Sequence, residues 1–168
     1  MATEALFLQA SDVKKFTSLN GNVDEDKFIQ YVKIAQDIHL LNYVGQNLFE
    51  KLQDDILNST LTGDYLTLVN TYIKPMLIHW AMVEYLPWAA YSISNKGVFK
   101  HGAENSESVN KGEVDYLQGK EMEVAQSYTR RFIDYMNINY ALFPEYSTNG
   151  AFEVHPDKEA SFGGWFLD

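Results

Sequence analysis

The side chains in this sequence whose types could bind a metal or move a proton are its histidines and carboxylates, and their spacing decides whether they do. The four histidines, His39, His79, His101 and His155, stand on four different predicted segments, without an i to i+4 partner or a second histidine nearby. That pattern suits structural histidines better than ligands. The stretch "NGNVDEDKFIQY" sets Asn20, Asn22 and Asp24 at alternate positions, as a calcium loop does. Its sixth position is Glu25 where such a loop turns on glycine, and its twelfth is Tyr31 where a bidentate glutamate is required. Asp54 and Asp55 diverge by about 100° on a helix and read as a solvated face. Phosphate-cradling glycine loops and a nucleophile elbow are absent from the sequence. These residues nominate no catalytic site, no metal and no cofactor, and the expectation is a non-enzymatic protein.

The bulk composition agrees with that direction. With 168 residues, 46% apolar and 14% aromatic, the chain supports one domain with a real core. Its 13 lysines and arginines against 23 aspartates and glutamates leave a net charge of -10. Gripping phosphates requires the opposite balance, while a surface past which DNA slides without sticking permits this one. There is no cysteine, which removes disulfides and thiolate chemistry together. "MATEALFLQA" lacks the basic start and long apolar run of a secretion signal. The apolar stretch around "MLIHWAMVEYLPWAAYSI" carries His79, Glu84 and Pro87, and so reads as a buried helix and not a membrane span. The expectation is synthesis in a cytoplasm and no membrane partner.

Helical periodicity dominates the chain, and the fold class expected is all-α: a bundle of four to six helices with a long inter-helix loop and an extended C-terminal arm. Ser11 caps a short first helix. A second helix runs from about Asp24 to Tyr43, on the spacing of Phe28, Val32 and Ala35, and Gly45 breaks it. "QNLFEKLQDDIL" then gathers Leu48, Phe49, Leu52 and Ile56 on one face. From Asp64 to about Ser94 a long element contains Pro75 and Pro87, so it is either kinked twice or divided. The aromatics Trp80, Tyr85, Trp88 and Tyr91 on it supply core, an intersubunit surface, or both on different faces. A second long element spans about Asn110 to Leu142. Arg130 and Arg131 within it read as surface ion-pairing groups.

Between the two long elements, "NKGVFKHGAENSESVN" exceeds what a helical hairpin needs. Within it "GVFKHG" has strand character, and its expected partner is "GAFEVH" in the tail or the same segment of another chain. Lys96, Val98, Phe99, Lys100 and His101 are therefore the candidate intersubunit loop residues.

After Pro144 the helical period disappears. Residues 146–168 form the expected docking arm, with a helical domain over residues 1–145. The arm's candidate anchors are Tyr146, Phe152, Val154, Phe162, Trp165, Phe166 and Leu167, with Gly163 and Gly164 letting "SFGGWFLD" turn closely against a surface. The alternative is that Trp165 and Phe166 fold back on their own bundle.

The order of parts resembles the head-to-tail connector, or adaptor, proteins of tailed double-stranded DNA phages, in particular the neck-ring versions of Bacteroidetes and crAss-like phages. The pieces that carry the resemblance are "AQDIHLLNYVGQNLFEKL" and "SNKGV", within a likeness over about residues 6 to 146. The resemblance implies a helical bundle assembled in a ring, usually of twelve, beneath the portal vertex of the virion. Such a ring extends the DNA channel, docks on the portal or another neck or tail protein through its C-terminal segment, and lets double-stranded DNA pass without specific binding. The competing expectation is a cytoplasmic helical interaction module that offers the same arm to an unrelated partner.

Overall fold

The computed structural model describes residues 4–18, 25–89, 91–94, 97–100, 110–159 and 162. They form an all-α bundle with one small β-hairpin. The helices are α1 (Ala10–Phe16), α2 (Glu25–Ala35), α3 (Leu41–Val44), α4 (Gln46–Leu57), α5 (Gly63–Thr67), α6 (Lys74–Tyr85) and α7 (Lys111–Asn139), and the strands are β1 (Tyr91–Ser94) and β2 (Gly97–Lys100).

The central rod is α6. Met76, Leu77, Ile78, Trp80, Ala81, Met82 and Val83 are all buried, so it is apolar around most of its circumference, as a helix covered on several sides must be. It packs against α2 on one side and α7 on the other. Pro75 sits in its first turn, where the missing N–H is one the helix would leave unpaired anyway. The turn before it widens into a π segment, Leu68–Ile73, in which Lys74 N–H donates to the Val69 carbonyl. The wider turn takes up the clash that a proline ring makes with the carbonyl four residues earlier. A second π segment, Gln36–Leu40, joins α2 to α3.

A capping box starts α7: Asn110 Oδ1 accepts from Glu113 N–H at 3.1 Å, and Asn110 N–H donates to Glu113 Oε2 at 2.8 Å. Its buried positions are Ala125, Thr129, Phe132, Ile133 and Met136, all in the C-terminal half. Its first turns run beyond the core, with Tyr116 and Leu117 exposed.

The fold class expected from the sequence is the one found, and so are the break at Gly45 and the extent of α4 and α7. Two details differ. The strand Gly97–Lys100 pairs with its neighbour Tyr91–Ser94, antiparallel and in the register Ser94 to Gly97, and not with either partner expected, the tail segment or the same segment of another chain. Only two residues separate these strands in sequence, so closing the hairpin costs far less chain entropy than pairing across more than fifty residues. The other difference is the tail. Pro144–Ser147 forms a 3-10 turn that returns to the bundle, with Phe143 and Tyr146 fully inside.

Tyr146 makes this placement testable. Its hydroxyl is buried and accepts or donates no hydrogen bond among the described residues. Burial, with the nearby Asp157 charge adding, pushes its phenol from the ordinary 10.0 up to about 12. The fold thus favours the neutral phenol, so its contribution is intact below pH 10 and is lost as pH rises through about 12. Tyr146→Phe is expected to leave stability at pH 7 unchanged or raised by about 1 kcal/mol, and to flatten the loss of stability across that alkaline window. Urea unfolding at a series of pH values checks both; a loss above about 1 kcal/mol at pH 7 would show that the hydroxyl has a partner.

Candidate functional site

The titratable side chains are the groups from which an active site could be built. His39, in the π segment, places Nε2 2.8 Å from Glu84 Oε1 on α6. An ionised carboxylate only accepts, so that nitrogen carries the proton. The same ring stacks on Trp80 at 3.9 Å between centroids. On the other side of α6, His79 Nδ1 lies 2.7 Å from Glu121 Oε2 on α7, and its ring stacks parallel to Tyr128. Trp80 Nε1–H donates to Thr129 Oγ1 at 2.9 Å, and Thr129 Oγ1–H donates on to the Ala125 carbonyl at 2.8 Å. Each histidine thus fastens one neighbouring helix to α6. The two pairs sit on different helix interfaces, and among the described residues no cluster of three or more potential ligands gathers to hold a metal ion.

The C-terminal segment builds a second feature. Helices α3 and α4 meet at Gly45, whose φ of +75° and ψ of 161° lie in a region open essentially to glycine. The chain returning from α7 crosses this elbow. Gln46 N–H donates to the Val154 carbonyl at 2.9 Å, Asp157 N–H to the Asn42 carbonyl at 2.7 Å, and Asn47 N–H to Asn149 Oδ1 at 3.0 Å. Pro156 lies directly on the glycine, so close that a Cβ there would stand 2.8 Å from its Cδ. Further on, Asn137 Nδ2–H donates to the Lys158 carbonyl at 3.5 Å, and the Arg130 guanidinium stands 5.6 Å from the Phe162 ring centre. The segment is strapped to its own bundle at least as far as Lys158.

The third feature is exposed apolar surface. Leu117, Val124 and Ile138 on α7 are all exposed and stand in a register of seven, which holds them near one side of a straight helix. Phe152 is wholly exposed, at 104% of its reference surface, on a turn closed by Glu153 N–H donating to the Gly150 carbonyl at 3.1 Å. Between α1, α6 and α7 lies a cavity of about 290 Å³, walled by Phe16, Pro75, Ile78 and Tyr128, with Asp12, Asn70, Lys74 and His79 on its polar side.

The residues expected to dock a partner therefore divide. Tyr146 is core, because Phe143 and Tyr146 face inward from the 3-10 turn and close the bundle beside Tyr65 and Tyr135; its expected docking role is corrected. Val154 is half-buried against Gln46. Phe152 stands free of the core, and Phe162 rests near Arg130. Gly163, Gly164, Trp165, Phe166 and Leu167 lie outside the described residues. Of the loop residues, Val98, Phe99 and Lys100 belong to β2, while Lys96 and His101 lie outside the described residues. Sequence reasoning missed the Gly45 cradle and the cavity, which depend on packing between distant segments. Gly45, a glycine between two helical patterns, was the available signal for the first. Among the described residues, no helix is long and apolar enough to cross a membrane.

Residues 40–155 match the model of DUF6712, described as a family of unknown function. No curated protein and no solved structure matches the chain.

Proposed function

The chain belongs to the DUF6712 family, and we propose that it is a structural, non-enzymatic subunit of an oligomeric ring in the neck of a tailed double-stranded DNA phage. In this reading the bundle builds a ring, of twelve copies by the resemblance over residues 6 to 146, between the portal and the next neck or tail protein. The histidine–carboxylate pairs serve helix packing and not catalysis. The protein is made in the host cytoplasm and ends in the virion.

The observation that carries the reading is the exposed apolar surface. Leu117, Val124 and Ile138 on one side of α7, with Phe152 on a pinned turn, leave the isolated subunit with side chains that assembly would bury. A ring needs two different faces of one subunit that meet at an angle which closes, and these features sit on different parts of the bundle. The net charge of -10 suits a lumen through which phosphates pass without binding. The terminal "SFGGWFLD" is the candidate anchor to the portal or a neighbouring ring.

Negative-stain imaging of the purified protein, alone and mixed with the portal protein of the same genome, tests the proposal. Closed rings, or rings seated on the portal, are expected. Monomers under both conditions overturn it and leave the helical interaction module as the better reading. Removal of residues 161–168 is expected to preserve helix content while weakening portal attachment; early melting of that truncation would instead return the segment to the protein's own core.

A further inference from the structure

The returning segment does not stop at the Gly45 elbow; it goes on to α7 and advances along it. Asn137 Nδ2–H donates to the Lys158 carbonyl at 3.5 Å. Seven positions nearer the start of the helix, the Arg130 guanidinium stands 5.6 Å from the ring centre of Phe162, which is half-buried. Seven helical residues rise about 10 Å, a step that four residues of chain, reaching about 13 Å when extended, can cover. The segment therefore heads toward the first turn of α7, antiparallel to the helix.

At about 100° per residue, Asn137, Arg130, Gln126 and Gly119 fall within about 40° of one another, so the same line continues over Gly119. Glycine is among the poorest residues for a helix interior. Gly119 has no positive φ to justify it, and a Cβ built there would meet nothing within 4 Å. Neither backbone strain nor crowding among the described residues accounts for the missing side chain. Beside it, Met122 is 37% exposed. Bare backbone next to a thioether makes a low shelf on which a flat ring can lie close, with sulfur–aromatic contact added. The charges around it are already matched: Lys120 holds Glu123 at 2.9 Å and His79 holds Glu121 at 2.7 Å. The shelf thus suits an apolar occupant.

The residues that follow Phe162 are Gly163, Gly164, Trp165, Phe166 and Leu167. Two glycines let a chain pass close to a helix. At the pace set by the two fixed points, seven helical positions for four residues, Trp165 comes level with about position 125 and Leu167 with about position 121. The tether also sets the effective concentration of the ring over the shelf at about millimolar, so a contact too weak to hold a separate peptide suffices.

We infer that Trp165 folds back onto the shelf at Gly119 and Met122 of its own α7, and that the terminal segment is a latch on the free subunit. The inference goes beyond the proposed function and does not rest on it, since it concerns the subunit before any partner is present. A portal that takes the terminal anchor has to draw it off α7.

The natural chain has no cysteine, which makes the test direct. Leu167→Cys is combined in one chain with Gly119→Cys or, in a second variant, with Ser127→Cys. Both helix positions are exposed, and Ser127 lies closer to the Phe162 contact but about 80° around the helix from Gly119. In dilute monomer under oxidised glutathione, the 119–167 disulfide is expected to form at least about tenfold faster than the 127–167 disulfide. Adding Trp165→Ala should remove that preference and leave the circular dichroism unchanged. Equal rates in the unaltered pair overturn the inference, because an end free in water reaches both positions. A 119–167 link found only between two chains gives the shelf to the end of a second copy and overturns it too. Met122→Lys, otherwise in the natural chain, supplies a second measurement. Chymotrypsin should cut after Trp165 or Phe166 at least about tenfold faster in that variant than in the natural protein, and equal cutting overturns the latch. Rings in negative stain are a separate result: their absence removes the ring proposal and leaves the latch standing.

Discussion

Trp80→Ala is expected to destabilise the protein by about 3–5 kcal/mol, enough to consume much of the stability of an ordinary domain. Trp80 is 5% exposed at the crossing of α2, α6 and α7, and it takes part in three different interactions there. Its ring covers His39 at 3.9 Å, its N–H donates to Thr129 at 2.9 Å, and its bulk fills the space between the helices. Removing it opens a cavity and also leaves the face of the His39–Glu84 pair uncovered. Urea unfolding measures the total, and a two-residue cycle separates the parts. Trp80→Phe and Thr129→Val each break the indole hydrogen bond, so the double variant should cost less than the sum of the singles by about 0.5–1.5 kcal/mol. Strict additivity would show that the bond contributes nothing. A loss below about 1 kcal/mol for Trp80→Ala would mean that the helices do not meet around this ring.

The parts of this fold that could be read from the sequence are those written into local chemistry. Asn110 with Glu113 is a capping box that any reader of α7 can find, and Gly45 between two apolar helical patterns marks a break. Trp80 and its apolar neighbours announce a buried rod. The π segments left no such trace, because one wider turn shifts the register of a short window too little to displace its apolar stripe. Yet that shift sets His39 against Glu84 and turns Gln36 inward, where its amide accepts from Phe7 N–H at 3.1 Å and donates to the Ala5 carbonyl at 3.0 Å. Tyr146 was hidden for another reason. A single 3-10 turn has no periodicity to detect, and only Pro144 at its start and the spacing of Phe143 and Tyr146 hint that both side chains face the bundle. For the candidate site the division is similar. Phe152 and the terminal hook stood out as apolar residues in a polar setting, whereas the cavity is assembled from α1, α6 and α7, whose contact the linear sequence does not record.

These placements also change what a docking arm means here. An arm free from Tyr146 onward would carry about twenty loose residues, and a partner would have to order all of them at about 1–2 kcal/mol of backbone entropy each. The chain instead orders the stretch to Lys158 on its own elbow as it folds, so the cost is met before any partner arrives. What reaches the partner is then a presented turn and a short end, a pre-organised surface that holds its geometry on binding.

Gly45→Ala tests that arrangement at the residue on which it depends, and the expected loss is about 2–4 kcal/mol. Two costs coincide. A φ of +75° with ψ of 161° is strained for any residue with a side chain. The added Cβ would also stand 2.8 Å from Pro156 Cδ and 2.9 Å from Asn149 Nδ2, closer than such atoms approach. The strain belongs to the α3–α4 junction, while the clash falls on the returning segment, which can relieve it by lifting off. Lifting breaks the bonds from Gln46 and Asn47 to Val154 and Asn149. Limited proteolysis should therefore cut Gly45→Ala within residues 148–159 under conditions that spare the natural protein, with the helical signal near its original value at low temperature. Asn149→Ala, which removes one acceptor and adds no strain, should cost only about 1 kcal/mol and keep the protection largely intact. In the proposed ring, where assembly buries Phe152, Gly45→Ala should also weaken assembly, although it does not touch the phenyl ring. Unchanged protection and a loss under about 0.5 kcal/mol would show that the segment does not lie on this glycine.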